Sequence, residues 1–118
     1  MSEHKYPKGK VIKLDGKKLV GAEKFHSTFS STFGFPDFYG RNMSAWVDCM
    51  SYLDDPDGEM TKVHVPRGQT VTLQIDNYGY FKKAGQKQWL DLLECSAFVN
   101  YRQLEAGRRP LLVLSFFE

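Results

Sequence analysis

Residues 34–53 read GFPDFYGRNMSAWVDCMSYL, and the rest of the chain is organised around this stretch. Gly34 and Pro36 end the segment before them, because glycine terminates helices and proline cannot continue one. Gly40 allows a tight bend, and Asn42 then predicts the N-cap of a helix, since its side-chain oxygen can accept from free first-turn amides. The stretch therefore predicts an aromatic loop that leads into a new helix.

A helical stripe of apolar residues follows Asn42. Its members recur at spacings of three and four, which is the period of one helix face. They are Met43, Trp46, Met50 and Leu53. Ser44, Asp48 and Ser51 fall on the other side. The spacing predicts an amphipathic helix over residues 42–53 with a lone carboxylate, Asp48, on its open face.

The order of residues in this stretch resembles the signature of the barstar family, the intracellular inhibitors of bacterial guanyl-specific ribonucleases. The shared pattern is an apolar residue, Pro, an acid, two aromatics, Gly, any residue and Asn, here FPDFYGRN at 35–42. A helix with a Trp-Asp-Cys-type core follows, here AWVDCM at 45–50. The resemblance is close over this stretch and looser elsewhere. It implies an α/β fold in which helices pack a small three-stranded parallel sheet.

The resemblance also implies a surface that binds a partner. In the family, the carboxylate at the place of Asp48 enters the ribonuclease active site and stands in for the substrate phosphate. The first aromatic ring, here Phe38, is usually at the interface, whereas the second, here Tyr39, is more often packed inside; the alternative is that both are core. The residues expected to meet the partner are Phe38, Tyr39, Arg41, Asn42, Ser44, Val47, Asp48 and Ser51.

Four positions depart from the pattern that the resemblance implies. Ser44 stands where the family commonly has a second Asp, and Val47 stands where the best-known member has an exposed Trp. Arg102 and Ala106, on the last predicted helix, stand where that member offers carboxylates. We expect an inhibitor of a bacterial ribonuclease or related toxin with a basic active site, and these departures leave the identity of that partner open.

Charge is distributed unevenly along the chain. The net charge is +2, but residues 35–59 carry six acids and one base, Arg41, and have a net charge of −5. A local acidic patch on a mildly basic protein points to a basic partner surface. The alternative for the acidic loop 54–59, taken alone, is a solvated segment with no binding role.

A second hypothesis is a nucleic-acid-binding or structural interaction module that keeps the fold without inhibiting a ribonuclease. It would use the basic residues near the N-terminus, Lys5, Lys8, Lys10, Lys13, Lys17 and Lys18. These residues are scattered and lack interleaved aromatics, which argues against a dedicated nucleic-acid site. We therefore do not expect nucleic acid as the partner.

No group of residues predicts catalysis, a metal or a cofactor. The three histidines and two distant cysteines lack zinc-ligand spacing, and Asp55, Asp57 and Gly58 match only a fragment of a calcium loop. Cys49 has no evident His base beside it, so a buried structural thiol is favoured over a nucleophile. We expect no enzyme activity, no metal and no cofactor.

Cys49 and Cys95 both lie in helical patterns. No apolar stretch is long enough to cross a membrane, and residues 1–10 show no signal-peptide core. We therefore expect reduced, buried thiols in a cytoplasmic protein that does not bind membranes. A disulfide between the two cysteines is the alternative.

The length predicts one domain over residues 1–118, flexible at 1–8, with an inserted acidic loop and hairpin at 54–70. Strands are predicted at 9–14, 62–65, 70–76 and 111–117, and helices at 22–33, 42–53 and 86–106, with an irregular or short helical link at 77–85. The strand at 62–65 would add a hairpin strand to the sheet. The nearly continuous apolar run at 111–117 is typical of a strand covered on both faces.

The apolar periodicities also predict which residues face inward. On the helix at 86–106 these are Trp89, Leu92, Leu93, Ala97 and Leu104. The common core is expected to contain Val11, Phe25, Phe29, Met43, Trp46, Met50, Leu73, Ile75, Leu92, Leu93, Leu112 and Leu114.

Overall fold

The computed structural model describes residues 9–118, so the expected flexible segment 1–8, with Lys5 and Lys8, lies outside the described residues. The elements follow in the order β1 (Gly9–Asp15), α1 (Ala22–Phe33), α2 (Met43–Met50), β2 (Thr70–Asp76), α3 (Tyr78–Ala84), α4 (Gln86–Glu105) and β3 (Leu112–Phe116). Short 3-10 turns lie at Gly16–Lys18 and Pro56–Gly58. Within this part of the chain, no helix is long and apolar enough to cross a membrane.

The three strands form one parallel sheet with β2 in the centre. Ile12 of β1 lies opposite Leu73 of β2, and Leu73 lies opposite Leu114 of β3. Parallel neighbours need crossover connections, and helices supply them here. The predicted α/β fold, with a three-stranded parallel sheet packed by helices, is confirmed.

Aromatic side chains fill the core between α1 and α2. Phe25, Phe29 and Phe33 recur at spacings of four on α1, and all three are fully buried. The Phe29 ring meets Trp46 of α2 edge to face, with ring centroids 5.5 Å apart, a favourable geometry for aromatic pairs. Gly34 ends α1 in the left-handed conformation, at a φ of 67°, which glycine adopts without strain. The predicted helix at 22–33 is thus confirmed at both ends.

The predicted hairpin strand at 62–65 is wrong, because its backbone amides bond to the end of α1 and to the turn after α2 instead of to a strand. The amide of Lys62 donates to the carbonyl oxygen of Phe33 at 2.8 Å, and the amide of Val65 donates to that of Leu53 at 2.9 Å. Thr61 Oγ1 also donates to the Phe33 carbonyl oxygen, at 2.8 Å. The segment is therefore an irregular connection that bonds to the end of α1 and to the turn after α2.

Two predictions about the sheet faces are also wrong. Val11 is 58% exposed and Val113 is 43% exposed, so Val11 is outside the core and β3 is not covered on both faces. Both residues lie opposite Thr72 on the same side of the sheet. The helices pack on the other side, where Leu14, Leu73 and Leu112 are buried.

The inward face of α4 differs from the prediction in its second half. Trp89 and Leu92 are buried as expected, but Ala97 is exposed and Leu104 is 56% exposed. The buried residues of α4 are Trp89, Leu92, Ser96, Val99 and Gln103. Two of them are polar, so an apolar pattern alone selects the wrong phase. Because the buried face of α4 differs from the predicted one, Phe98 and Arg102 lie toward α2, at the site described below.

Candidate functional site

The helix α2 starts where the sequence predicts. Asn42 Oδ1 accepts from the amide of Ala45 at 2.8 Å, while Asn42 Nδ2 donates to the carbonyl oxygen of Gly40 at 3.2 Å. The cap therefore also fixes the loop that precedes the helix. The helix ends at Met50, three residues earlier than predicted, and Ser51 Oγ donates to the carbonyl oxygen of Val47 at 2.7 Å.

Asp48 projects outward from a helix that is otherwise mostly buried. Trp46, Cys49 and Met50 are almost fully buried, and Val47 is 6% exposed. The Asp48 side chain is 59% exposed, and Ser44, one turn earlier, is also exposed. The prediction that Trp46 is buried and Asp48 exposed is confirmed. A packed helix thus presents one carboxylate to solvent.

The Asp48 carboxylate is paired with a cation from another helix. Arg102 Nη1 of α4 lies 3.7 Å from Asp48 Oδ1, and the Arg102 side chain is 49% exposed. The guanidinium also lies 5.9 Å from the centre of the Phe98 ring, a cation–π distance. An open hollow of about 450 Å³ between α2 and α4 is lined by Met43, Ser44, Val47, Asp48, Glu94, Cys95, Phe98 and Arg102.

The two aromatic rings before α2 have opposite surroundings. Phe38 is 76% exposed, whereas Tyr39 is 9% exposed and packs on Phe35 with ring centroids 4.7 Å apart. The Tyr39 hydroxyl lies 2.6 Å from Nδ1 of the buried His26. Burial raises the pKa of the Tyr39 hydroxyl, and burial followed by the charge of Arg41 lowers the pKa of His26. Tyr39 thus supports the loop, and Phe38 lies on its surface.

Arg41 makes its polar contacts within the chain. Its guanidinium donates to Ser27 Oγ at 2.7 Å and to the carbonyl oxygen of Glu23 at 3.3 Å, both on α1. Its backbone has a φ of 55°, a conformation that non-glycine residues seldom adopt. These contacts hold the residue before the N-cap of α2, and the side chain is still exposed.

The acidic segment after α2 is only partly a solvated loop. Asp57 and Glu59 are exposed, but the side chain of Asp54 is 4% exposed. Asp54 Oδ2 lies 3.5 Å from Arg67 Nε and accepts from Gln103 Nε2 at 3.4 Å. The alternative interpretation of 54–59 as a solvated segment is therefore wrong for Asp54. This carboxylate joins the turn after α2 to α4.

The cysteines are free thiols, as expected, so the alternative disulfide is absent. Cys49 is buried, and burial, followed by the negative charge of Asp48, raises the pKa of its thiol to about 11. Cys95 is half-buried, and burial also raises the pKa of its thiol. Thiols with raised pKa values are poor nucleophiles, which agrees with a structural role.

Over residues 9–118, no group of three or more His, Cys, Asp or Glu residues is placed to hold a metal ion. The sequence did not predict that Glu94 and Phe98 line the hollow between α2 and α4. It indicated Arg102 only as a position where an acid is missing. The spacing of four between Glu94, Phe98 and Arg102 is a helix-face signal that could have indicated a common surface.

Comparison with known proteins agrees with this architecture. The sequence model of the family described as Barstar (barnase inhibitor) matches residues 9–115. The chain belongs to the barstar family. The match extends from β1 to β3, so the family resemblance of residues 34–53 holds for the whole sheet and its helices.

One curated relative matches a shorter stretch. It is a putative ribonuclease inhibitor, YrdF, of Bacillus subtilis (strain 168), which is 38% identical over 48 residues. This alignment covers 40% of the chain and 52% of the relative, so the chain spans about half the length of that protein. The relative bears a name that describes an inhibitor, as does the barstar family itself.

Proposed function

We propose that this barstar-family chain inhibits a bacterial ribonuclease, or a related nuclease toxin, by placing the exposed face of α2 in a basic active site. The observation that carries the proposal is the position of Asp48. Its side chain is 59% exposed, while Trp46, Cys49 and Met50 on the same helix are almost fully buried. The packed helix holds the carboxylate in place before a partner arrives, which reduces the entropic cost of binding.

The proposed inhibition requires no catalytic step by the chain itself. Arginine and histidine groups that hold an RNA phosphate can hold a carboxylate in the same way, through charge-assisted hydrogen bonds. The exposed part of the predicted surface consists of Phe38, Arg41, Asn42, Ser44 and Asp48. Tyr39 and Val47 are buried and Ser51 is half-buried, so these three support the surface from beneath. Substrate is excluded because the inhibitor occupies its place.

The proposal includes a cytoplasmic immunity role. Two free thiols, Cys49 and Cys95, agree with a reducing compartment. In that compartment, an inhibitor protects cellular RNA from a nuclease toxin. Expression of the chain should then rescue the growth of cells that produce the sensitive nuclease, and the Asp48→Ala variant should not rescue it.

Barnase is a defined first probe, because the family description names it. Its cleavage of a fluorogenic RNA substrate should be measured against increasing concentrations of the chain, alongside other basic ribonucleases. The variant Asp48→Ala should lose inhibition of any sensitive enzyme, whereas Asp57→Ala, with the same charge change on an exposed loop residue, should keep most of it. Equal inhibition by both variants would contradict an active-site role for Asp48.

A further inference from the structure

Arg102 lies beside Asp48, where the proposed function would place a cationic group of a partner. Its Nη1 atom lies 3.7 Å from Asp48 Oδ1, and its guanidinium carbon lies 5.9 Å from the centre of the Phe98 ring. Phe98 is itself 50% exposed. The carboxylate that binds a basic site in our proposed function therefore already has an internal counter-ion.

The Arg102 side chain borders two neighbouring depressions of the surface. It lines the hollow that contains Asp48 and Phe98, and it also lines a neighbouring cleft that contains Asp55, whereas Asp54 in that cleft is already paired with Arg67. Its backbone is fixed, since Val99 and Gln103 on either side in α4 are buried. The long side chain is half exposed, so it can leave Asp48 without any movement of α4.

We propose that Arg102 masks Asp48 in the free protein and is a specificity-determining residue of this surface, an inference that rests on the proposed function. A partner that offers only cations must displace Arg102 from Asp48. The positive charge of Arg102 then stays close to the positive charge of the partner, which is unfavourable. A partner that adds a carboxylate beside its cationic group can bind Asp48 and Arg102 together. Arg102 therefore selects against purely cationic sites and for sites that combine both charges.

The masking is tested with a small probe that needs no nuclease. The peptide acetyl-Arg-Arg-Arg-amide is titrated into the protein, and binding is followed by NMR at the backbone amides of residues 44–51. Arg102→Ala should bind the peptide about two- to fivefold more tightly than the wild type, the range expected from losing an exposed ion pair. Arg109→Ala, an exposed arginine with the same charge change, should match the wild type.

The increase in peptide affinity caused by Arg102→Ala should depend on Asp48 and on the charge of the peptide. In an Asp48→Asn background, Arg102→Ala should give a smaller gain in affinity for the peptide, because the carboxylate that the substitution uncovers is then absent. The affinity of acetyl-Arg-Asp-Arg-amide relative to that of the tri-arginine probe should fall in Arg102→Ala, because the aspartate of the probe then loses its cationic partner. Equal affinities of Arg102→Ala and Arg109→Ala, or no peptide binding to Arg102→Ala at α2, would overturn the masking.

A second measurement uses the free protein alone. Asp48→Asn should shift the Arg102 Nε–Hε resonance, because the substitution removes the charge that holds the guanidinium. No shift would overturn the masking whatever the protein does to a ribonuclease. In contrast, a failure to inhibit any ribonuclease would contradict the proposed function and leave the peptide and NMR results to decide the role of Arg102.

Discussion

The Nδ1 atom of His26 lies 2.6 Å from the hydroxyl oxygen of Tyr39, and this buried contact joins α1 to the loop before α2. Burial lowers the pKa of His26 below its ordinary value of 6.5, and the charge of Arg41 adds to the effect. The loop that bears Phe38 is therefore held by a neutral imidazole. Protonation of His26 would weaken this support.

The free energy of unfolding should fall as the pH is lowered through about 6.5, the value for an unperturbed histidine. Below that pH the unfolded chain binds a proton at His26 that the folded chain does not bind, so the unfolded state is favoured. The loss should level off once the pH is below the depressed pKa of the folded state. Urea unfolding at several pH values between 7 and 5, as an approximate range, measures this slope.

The His26→Gln variant provides the control for this pH dependence. Between pH 7 and pH 5, the free energy of unfolding of this variant should change less with pH than that of the wild type, whatever its absolute stability. Lys10→Gln, an exposed residue of β1, should keep the wild-type slope. A stability that rises as the pH falls over this range would contradict the lowered pKa of His26.

Asp54→Ala should destabilise the fold. The substitution removes the carboxylate that accepts from Gln103 and pairs with Arg67, and it leaves the buried Gln103 amide without this acceptor. The expected cost is about 1–3 kcal/mol in urea unfolding. The matched change Asp57→Ala, at an exposed residue, should stay within about 0.5 kcal/mol of the wild type. Equal stabilities of the two variants would contradict the structural role of Asp54.

The exposed acids near Asp54 should act on association with a ribonuclease. Asp57→Asn combined with Glu59→Gln should slow association and weaken its dependence on salt, because exposed charges steer encounter and are screened within about 10 Å at 0.1 M salt. The dissociation rate should stay nearly unchanged, since these groups lie in water. Stopped-flow mixing at two salt concentrations separates the two rates. A change confined to dissociation would contradict the steering role.

Asp48→Ala should act mainly on dissociation from a ribonuclease that the chain inhibits. The carboxylate would be desolvated against cationic catalytic groups, so its removal leaves those groups unpaired at a cost of about 2–5 kcal/mol. Surface plasmon resonance or stopped-flow dissociation measures this rate directly. Ser44→Ala, one turn earlier on the same exposed face, should change it far less. An unchanged affinity of Asp48→Ala would leave only the fold in common with the inhibitor family.

The two thiols should differ in reactivity. At pH 8 a thiol with a pKa of about 11, as for Cys49, is almost entirely protonated, and Cys49 is also buried. In the Cys95→Ala variant, labelling by a disulfide reagent should therefore be slow in buffer and fast in urea. Cys95 lines the hollow between α2 and α4 and should react faster than Cys49. Rapid native labelling of Cys49 would contradict its burial.

Local patterns were sufficient where one helix or one turn decides the structure. The spacing of Phe25, Phe29 and Phe33 with Gly34 after them predicts α1, and the Asn42 cap with Trp46 predicts the start and the buried face of α2. The exposure of Asp48 follows from that phase, because a residue two positions from a buried one lies on another side of the helix. These features depend on residues a few positions apart.

Patterns failed where the answer depended on distant partners. The segment at 62–65 has the composition of a strand, but the carbonyl oxygens of Phe33 and Leu53 take up its amides. The run at 111–117 is apolar, but β3 lies at the edge of the sheet and one of its faces is open. Neither outcome can be obtained from the segment's own residues.

The sequence by itself determined the family, the parallel α/β order of elements and the exposed carboxylate on α2, because each rests on local spacing, capping and one dense motif. Only the tertiary structure decided what surrounds that carboxylate. The polar residues Ser96 and Gln103 lie on the buried stripe of α4, and this phase turns Arg102 toward Asp48. It also buries Asp54 against Gln103. Contacts between α2 and α4 join residues about fifty positions apart in the chain, and local periodicity contains no information about such pairs.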